Sequence, residues 1–345
     1  MEQIDFVVTW VDGQDKAWRK EKAQYAHEGK SADDSEERYR DWEFLRFWFR
    51  GVENFAPWVR KVHFITWGHL PKWLNTKHPK LHIVRHEDYI PKEFLPVFNS
   101  NVLEIYMYRI DGLSEQFVYF NDDMFLTKKV GPEMFFMGGK PCDMLAFQPV
   151  VANPANPVMS HLFMNNTLVL AKYFDKRENV RKHPGDYFKV GYPALYFFYN
   201  ILEMAFPLYT GFYTVHGHFP FLKSTFEEVW EKEGNALRQM SVNRFRSQGD
   251  LTLYLFREWQ KLTGNFHAKN MHKGFSYYNL SEAYEKAEAA IRRQKVKMVC
   301  LNDGNVGGNF AKIKEKIQQA FMCILPEPCS FEQDRETFGH GEEVL

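Results

Sequence analysis

Apolar positions come in short unbroken blocks over the first third of the chain and in helical spacing over most of the rest. "IDFVVTWVDG" (4–13) is β-branched and aromatic and ends in Asp-Gly, which predicts a buried strand and a turn. The charged stretch 14–37 predicts a solvated helix and loop. In 38–58, apolar residues at 44, 45, 48, 49, 52 and 55 predict an amphipathic helix ended by Pro57. "KVHFITW" (61–67) and "KLHIVRH" (80–86) predict strands, "SNVLEIYMYRIDGL" (100–113) a helix, and "QFVYFNDD" (116–123) a fourth strand. Alternating strands and helices of this kind predict an open α/β sheet with crossover helices, which binds ligands beyond the carboxyl ends of its strands.

After "PCDMLAF" (141–147) the pattern turns helical through 158–290, with breaks at Pro184, Pro193, Pro207, Gly211 and Pro220. "ALYFFYNILEMAFPLY" (194–209) predicts a buried helix: Asn200, Glu203 and Pro207 interrupt it too often for a membrane span. "VKMVCLND" (296–303) returns to a strand, "GNVGGN" (304–309) follows, and 310–325 is an amphipathic helix. The expected division is a core over 1–150, a helical insertion over 151–295, and a closing strand and helix over 296–345 whose polar end, from Glu332, frays.

The 345 residues suffice for one elaborated domain or two. Lys+Arg and Asp+Glu both number 44, so no basic field points to nucleic acid. Cys142, Cys300, Cys323 and Cys329 fall in no metal-ligand spacing, which suits reduced structural thiols. The first residues have neither a basic segment nor a long apolar one, so no secretory signal is expected, and the cytoplasm is the expected location.

Five clusters carry candidate chemistry. Asn121-Asp122-Asp123 ends a predicted buried strand with two like charges, which either hold a hard divalent cation such as Mg²⁺ or Mn²⁺ or form an Asx turn. Asp12 suits a ribose or base contact, or a plain turn. "VHGHFP" (215–220) offers His216 and His218, each a general acid/base, a phosphate contact or a structural histidine. Arg244 and Arg246 in "NRFRSQGD" (243–250) are forks suited to phosphate oxygens, or a solvated basic turn. "CLNDGNVGG" (300–308) could present amides to a phosphate, but it is neither a dinucleotide fingerprint nor a P-loop.

Four blocks taken in order resemble the Stealth family of capsular polysaccharide phosphotransferases, which includes the animal N-acetylglucosamine-1-phosphotransferase subunits. They are "IDFVVTWVDGQD" (4–15), the long block 38–75 running on through 88–125, "HFPFLKSTFEEVWEKEGNALRQMSVNRFRSQGDLTLY" (218–254), and "CLND" (300–303) with the helix to "LPEPCSFE" (325–332). The resemblance implies a GT-A-like open, mostly parallel sheet with a large helical insertion. It also implies transfer of a sugar-1-phosphate from a UDP-sugar to a glycan hydroxyl with release of UMP. Carried onto this sequence, it implies a catalytic set of Asp5, Asp123, His218, Arg246 and Asp250. It implies substrate contacts at Arg40, Glu104, Asn121, Asn302 and Asp303, beside the Asp12 and Arg244 candidates, and a metal on Asp122 and Asp123. Gly249 and "GNVGG" depart from the animal members' pattern. The implied partners are a UDP-sugar and a polysaccharide acceptor, with peripheral contact at the inner membrane face left open. An ordinary metal-dependent glycosyltransferase releasing UDP is the alternative, and a non-catalytic sugar-binding protein is a third reading.

Overall fold

The structure is a computed structural model and describes residues 3–25, 40–154, 156–304 and 306–333. Its frame is laid down early, by β1 (Ile4–Thr9), α1 (Lys16–Tyr25), α2 (Leu45–Phe55), β2 (Val62–Thr66), β3 (Leu81–Arg85), α3 (His86–Tyr89), α4 (Ser100–Ile105) and β4 (Gln116–Phe120). Strands β1, β2 and β4 are buried almost throughout, the continuous apolar pattern of strands covered on both faces. They pair in parallel in the order β3-β2-β1-β4. The frayed tail expected from Glu332 mostly lies outside the described residues. Glu332 itself is bound by the buried Arg50 of α2, whose Nη2 donates to Oε2 at 2.9 Å.

The chain then peels away through β5 (Met124–Leu126), β6 (Phe136–Met137) and β7 (Lys140–Asp143) into the helices α5 (Pro157–Tyr173), α6 (Lys176–Lys182), α7 (Pro184–Tyr187) and α8 (Ala194–Glu203). A Cβ at Gly51 would stand 3.1 Å from the Leu126 carbonyl, so glycine there lets α2 pass close over β5. Next come β8 (Phe219–Leu222), α9 (Lys223–Ser241), α10 (Leu253–Leu262), β9 (His267–Ala268), β10 (Phe275–Asn279), α11 (Leu280–Arg292), β11 (Met298–Asn302) and α12 (Phe310–Ile324). The open, mostly parallel α/β sheet with a helical insertion is the expected one. β8 completes the central sheet antiparallel to β4, β9 pairs with β7, and β10 pairs in parallel with β11.

Two expectations are corrected. The helix expected over 100–113 stops at Ile105, and a 3₁₀ turn over Met107–Arg109 follows. Tyr106, Met107 and Ile110 are all buried, and the tighter turn turns them inward together. The expected buried helix at 194–209 is α8, but its large apolar residues Leu195, Phe198, Ile201 and Leu202 are exposed. Its inward stripe is instead occupied by Tyr196, Asn200 and Glu203.

Candidate active site

Beyond the carboxyl ends of β1 and β4 opens a cleft of about 940 Å³. The register explains what collects there. β1 and β4 stay paired as far as Val8 and Phe120, so Asn121, Asp122 and Asp123 project past the sheet edge. β5 then turns to pair antiparallel with β11, with Cys300 opposite Met124, and the Leu301 amide donates to the Asp123 carbonyl at 2.8 Å. This brings Asn302 and Asp303 alongside the aspartate pair. Arg40 Nη1 reaches Asp303 Oδ1 at 3.4 Å, and Asp41 lies in the same wall.

The electrostatics of this wall are unbalanced. Asp122 is exposed to the cleft and set deep among the acids of its wall, and its carboxyl is pushed up to about 7. Loss of solvation comes first, then the charges of Asp123, Asp41 and Asp303. Burial also raises Asp41. Asp123 Oδ1 is buried with no hydrogen-bond partner, while Oδ2 accepts from the Cys300 thiol at 3.2 Å and lies 3.5 Å from His216 Nε2. A divalent cation would satisfy the orphaned oxygen and offset the crowded charge, so the donors present suit one. One donor atom each from Asp123, His216 and Cys300 lie within 4.8 Å of one another.

His216 is held from behind by α10. Tyr254 Oη lies 3.3 Å from its Nδ1, and one turn on, Arg257 Nη1 donates to the Val215 carbonyl at 2.7 Å. Arg257 is itself fixed by a buried two-point pair with Asp143, at 2.6 and 2.8 Å. Burial disfavours the imidazolium of His216, but the Asp123 carboxylate outweighs it and the pKa is raised.

The opposite wall carries Glu104 and Arg246. Glu104 lies on α4 over Tyr119, whose hydroxyl donates to Oε1 at 3.3 Å. Burial pushes its carboxyl up to about 7, and the charges of Arg246 and His216 with the Tyr119 bond offset only part of that. Arg246 Nη2 donates to Ser100 Oγ at 2.6 Å. The loop that aims it is tied to α4 through the buried Asp250, which accepts from the side-chain amides of Asn99, Asn101 and Asn243 and from the Ser247 amide. A cleft that gathers the aspartate cluster with Arg40, and Glu104 with Arg246, suits binding of a phosphorylated ligand together with its counter-ion.

Family models for Stealth proteins match this chain, conserved region 1 over residues 2–30 and conserved region 2 over residues 38–142. Over 332 residues the chain is 40% identical to capsular polysaccharide phosphotransferase WcwK of Streptococcus pneumoniae, covering 96% of this chain and 99% of that protein. The chain belongs to the Stealth family. It is also 36% identical over 336 residues to receptor polysaccharide phosphotransferase WefC of Streptococcus gordonii, covering 96% of this chain and 99% of that protein. Among solved structures, an active-site mutant of LgtC shares 10% identity over 91% of this chain and 95% of that one, with a TM-score of 0.37.

Within this Stealth chain the cleft gathers Arg40, Glu104, Asn121, Asp122, Asp123, Arg246, Asn302 and Asp303. Five of the expected residues do not line it. Asp5 lies at the amino end of β1, about 13 Å of strand from Thr9. There it accepts from His63, Arg60 and the Ser114 amide, which outweigh burial and hold its carboxyl below the ordinary range. His218 lies just before β8, whose register with β4 ends with Phe219 opposite Tyr119, and it packs against Phe135 as Phe120 does. That is the far side of the sheet from Tyr119. Both its ring nitrogens are buried without partners, and burial pushes its pKa down to about 3. Arg244 donates to the Pro96 carbonyl at 2.9 Å and covers the Tyr25 ring. Asp250 sits beneath the Arg246 loop. Asp12 closes the turn after β1, with Oδ1 accepting from the Gln14 amide and its own amide donating to His69 Nε2.

Cys300, Asp41 and Tyr119 stand in the site without having been assigned to it from the sequence, and of the two candidate histidines it is His216 that enters it. Strand parity could not have separated the two histidines, which lie two residues apart; the bend at His216 and Gly217 ahead of β8 does. Nothing near Cys300 in sequence could have shown the β5–β11 pairing that carries it to Asp123.

Proposed function

We propose that this protein transfers a sugar-1-phosphate from a UDP-sugar, such as UDP-N-acetylglucosamine, to a hydroxyl of a glycan acceptor in capsular or exopolysaccharide synthesis. The relatives' names support the phosphotransferase class. The observation that carries the reading is the placing of Asp122, Asp123, Arg246 and Glu104 around one cleft at the strand carboxyl ends. The acceptor oxygen forms a bond to the sugar-linked phosphorus. The bridging P–O bond breaks, and UMP leaves with the bridging oxygen.

Arg246 is the group for the equatorial phosphate oxygens, pre-aimed by Ser100 and the Asp250 loop. Glu104, with a proton affinity near neutrality and set beside Arg246, is the group that takes the acceptor's proton. Mg²⁺ or Mn²⁺, held by Asp122 and Asp123 with His216, would supply positive charge to the diphosphate when bound.

Identifying the nucleotide product formed from UDP-N-acetylglucosamine and a polysaccharide acceptor tests the reading. UMP is expected. UDP would instead assign a glycosyltransferase attacking the anomeric carbon.

A further inference from the structure

Helix α8 is built inside out. Tyr196, Asn200 and Glu203 form its buried stripe, whereas Leu195, Phe198, Ile201 and Leu202 face outward. The buried polar groups are satisfied. Asn200 accepts from the Phe147 amide and donates to the Tyr187 carbonyl, both at 2.7 Å. Glu203 Oε2 accepts from the buried Lys176 Nζ at 3.0 Å, and that ammonium also donates to the carbonyls of Glu203 and Leu208. Glu203 is the one charged residue in the segment 190–208, and this ion pair keeps it inside. Phe206 and Leu208 after the helix, and Val190 before it, are exposed as well. The outer surface of this segment is therefore large, apolar and without charge.

A helix facing water has its polar side outward, and an exposed apolar patch of this kind marks a binding surface. The margin indicates what binds. Lys176 plants the start of α6, capped by Asp175, against the end of α8; Arg177 and Arg181 follow on that helix, and Lys189 directly precedes Val190. All three are exposed and make no ion pair among the described residues, while the nearest acid on α6, Glu178, is paired with Lys182. The exposed side chains of the patch are apolar, with the Tyr199 hydroxyl the one polar group partly exposed among them, unlike the polar rim of a protein interface. An apolar helix face with a cationic margin suits the surface of a bilayer, with its apolar side in the acyl boundary and its cations at the headgroup phosphates.

We propose that α8 and its flanks, residues 190–208, dock this protein on an anionic lipid surface. The docking helix is continuous with the wall of the cleft. Tyr196 packs on Tyr213 with ring centroids 4.2 Å apart, three residues before His216.

Sedimentation of the full chain with vesicles of phosphatidylcholine, alone or mixed with phosphatidylglycerol, tests the proposal. The protein should partition onto the mixed vesicles, and Phe198→Ser/Ile201→Ser/Leu202→Ser should lower that partition about tenfold or more at an unchanged melting temperature. Arg181→Glu/Lys189→Glu should lower it as well, which keeps the test decisive if the triple variant folds poorly. Failure to bind either vesicle overturns the proposal, and so does equal binding to both. A dimer in light scattering that the triple substitution dissociates, without vesicle binding, also overturns it and assigns the face to a second copy of this chain.

Discussion

His216 Nε2 lies 3.5 Å from Asp123 Oδ2 in the cleft, while His218, two residues on, is sealed against Phe135 on the other side of the sheet. The two histidines should therefore respond differently to substitution. His216→Ala should lower turnover by about two to four orders of magnitude. His218→Leu should leave turnover within a few-fold and the melting temperature equal or higher, because it removes two buried nitrogens that have no partners. An inactive but fully stable His218→Leu enzyme would return that histidine to the chemistry.

The orphaned Asp123 Oδ1 and the raised Asp122 carboxyl predict that a cation stabilises the fold. Mn²⁺ at about a hundred times its dissociation constant should add about 2.7 kcal/mol, read as a rise in melting temperature that chelator reverses. Asp123→Asn should abolish both the rise and the turnover. If that variant still gains the full thermal shift, the cation is bound elsewhere.

Acidity should act on the metal-free protein with a definite sign. Asp122 and Glu104 have ordinary values of 3.8 and 4.5 and are both pushed to about 7 in the fold. Between those limits the folded chain binds more protons than the unfolded chain, so this contribution to stability is lost as pH rises toward 7. His216, raised above 6.5, acts in the same direction. Asp5, Asp143 and Glu332 are held low and act oppositely, losing stability as pH falls below the carboxylate range. The metal-free melting temperature should therefore peak in mildly acid solution. Asp122→Asn should flatten its decline between pH 5 and 7, and an unchanged slope would show that Asp122 ionises normally.

The parallel core was legible because β1, β2 and β4 are buried on both faces, and a continuous apolar block records that directly. The carboxylates were legible because their charges end such a block. Features that depend on pairing between distant segments were not. Cys300 reaches Asp123 only through the β5–β11 register, and Asp5 and Asp123, which the resemblance put in one catalytic set, end up at opposite ends of one sheet. Helix α8 was misread for a physical reason. Apolar periodicity gives a stripe but not its direction, and the buried side was decided by partners for Asn200 and Glu203 that lie elsewhere in the chain.

Arg246 and Asp250 lie four residues apart and should fail in different ways. Arg246 touches the cleft, is partly accessible, and spends one guanidinium bond on Ser100. Lysine keeps its charge but loses the planar fork, so Arg246→Lys should lower kcat by about one to three orders of magnitude with little change in melting temperature. Asp250 is fully buried, and its carboxylate accepts four hydrogen bonds that join the Arg246 loop to the start of α4. Asp250→Ala leaves several of those donors unpaired and should cost about 2–4 kcal/mol of stability as well as activity. Asp250→Asn keeps the shape but turns an amide toward the amides of Asn99 and Asn101, so it should fall between the two. Thermal unfolding and steady-state kinetics on the same preparations separate these roles. A kcat loss for Asp250→Asn as large as that for Arg246→Lys, at wild-type stability, would place Asp250 in the chemistry rather than beneath it.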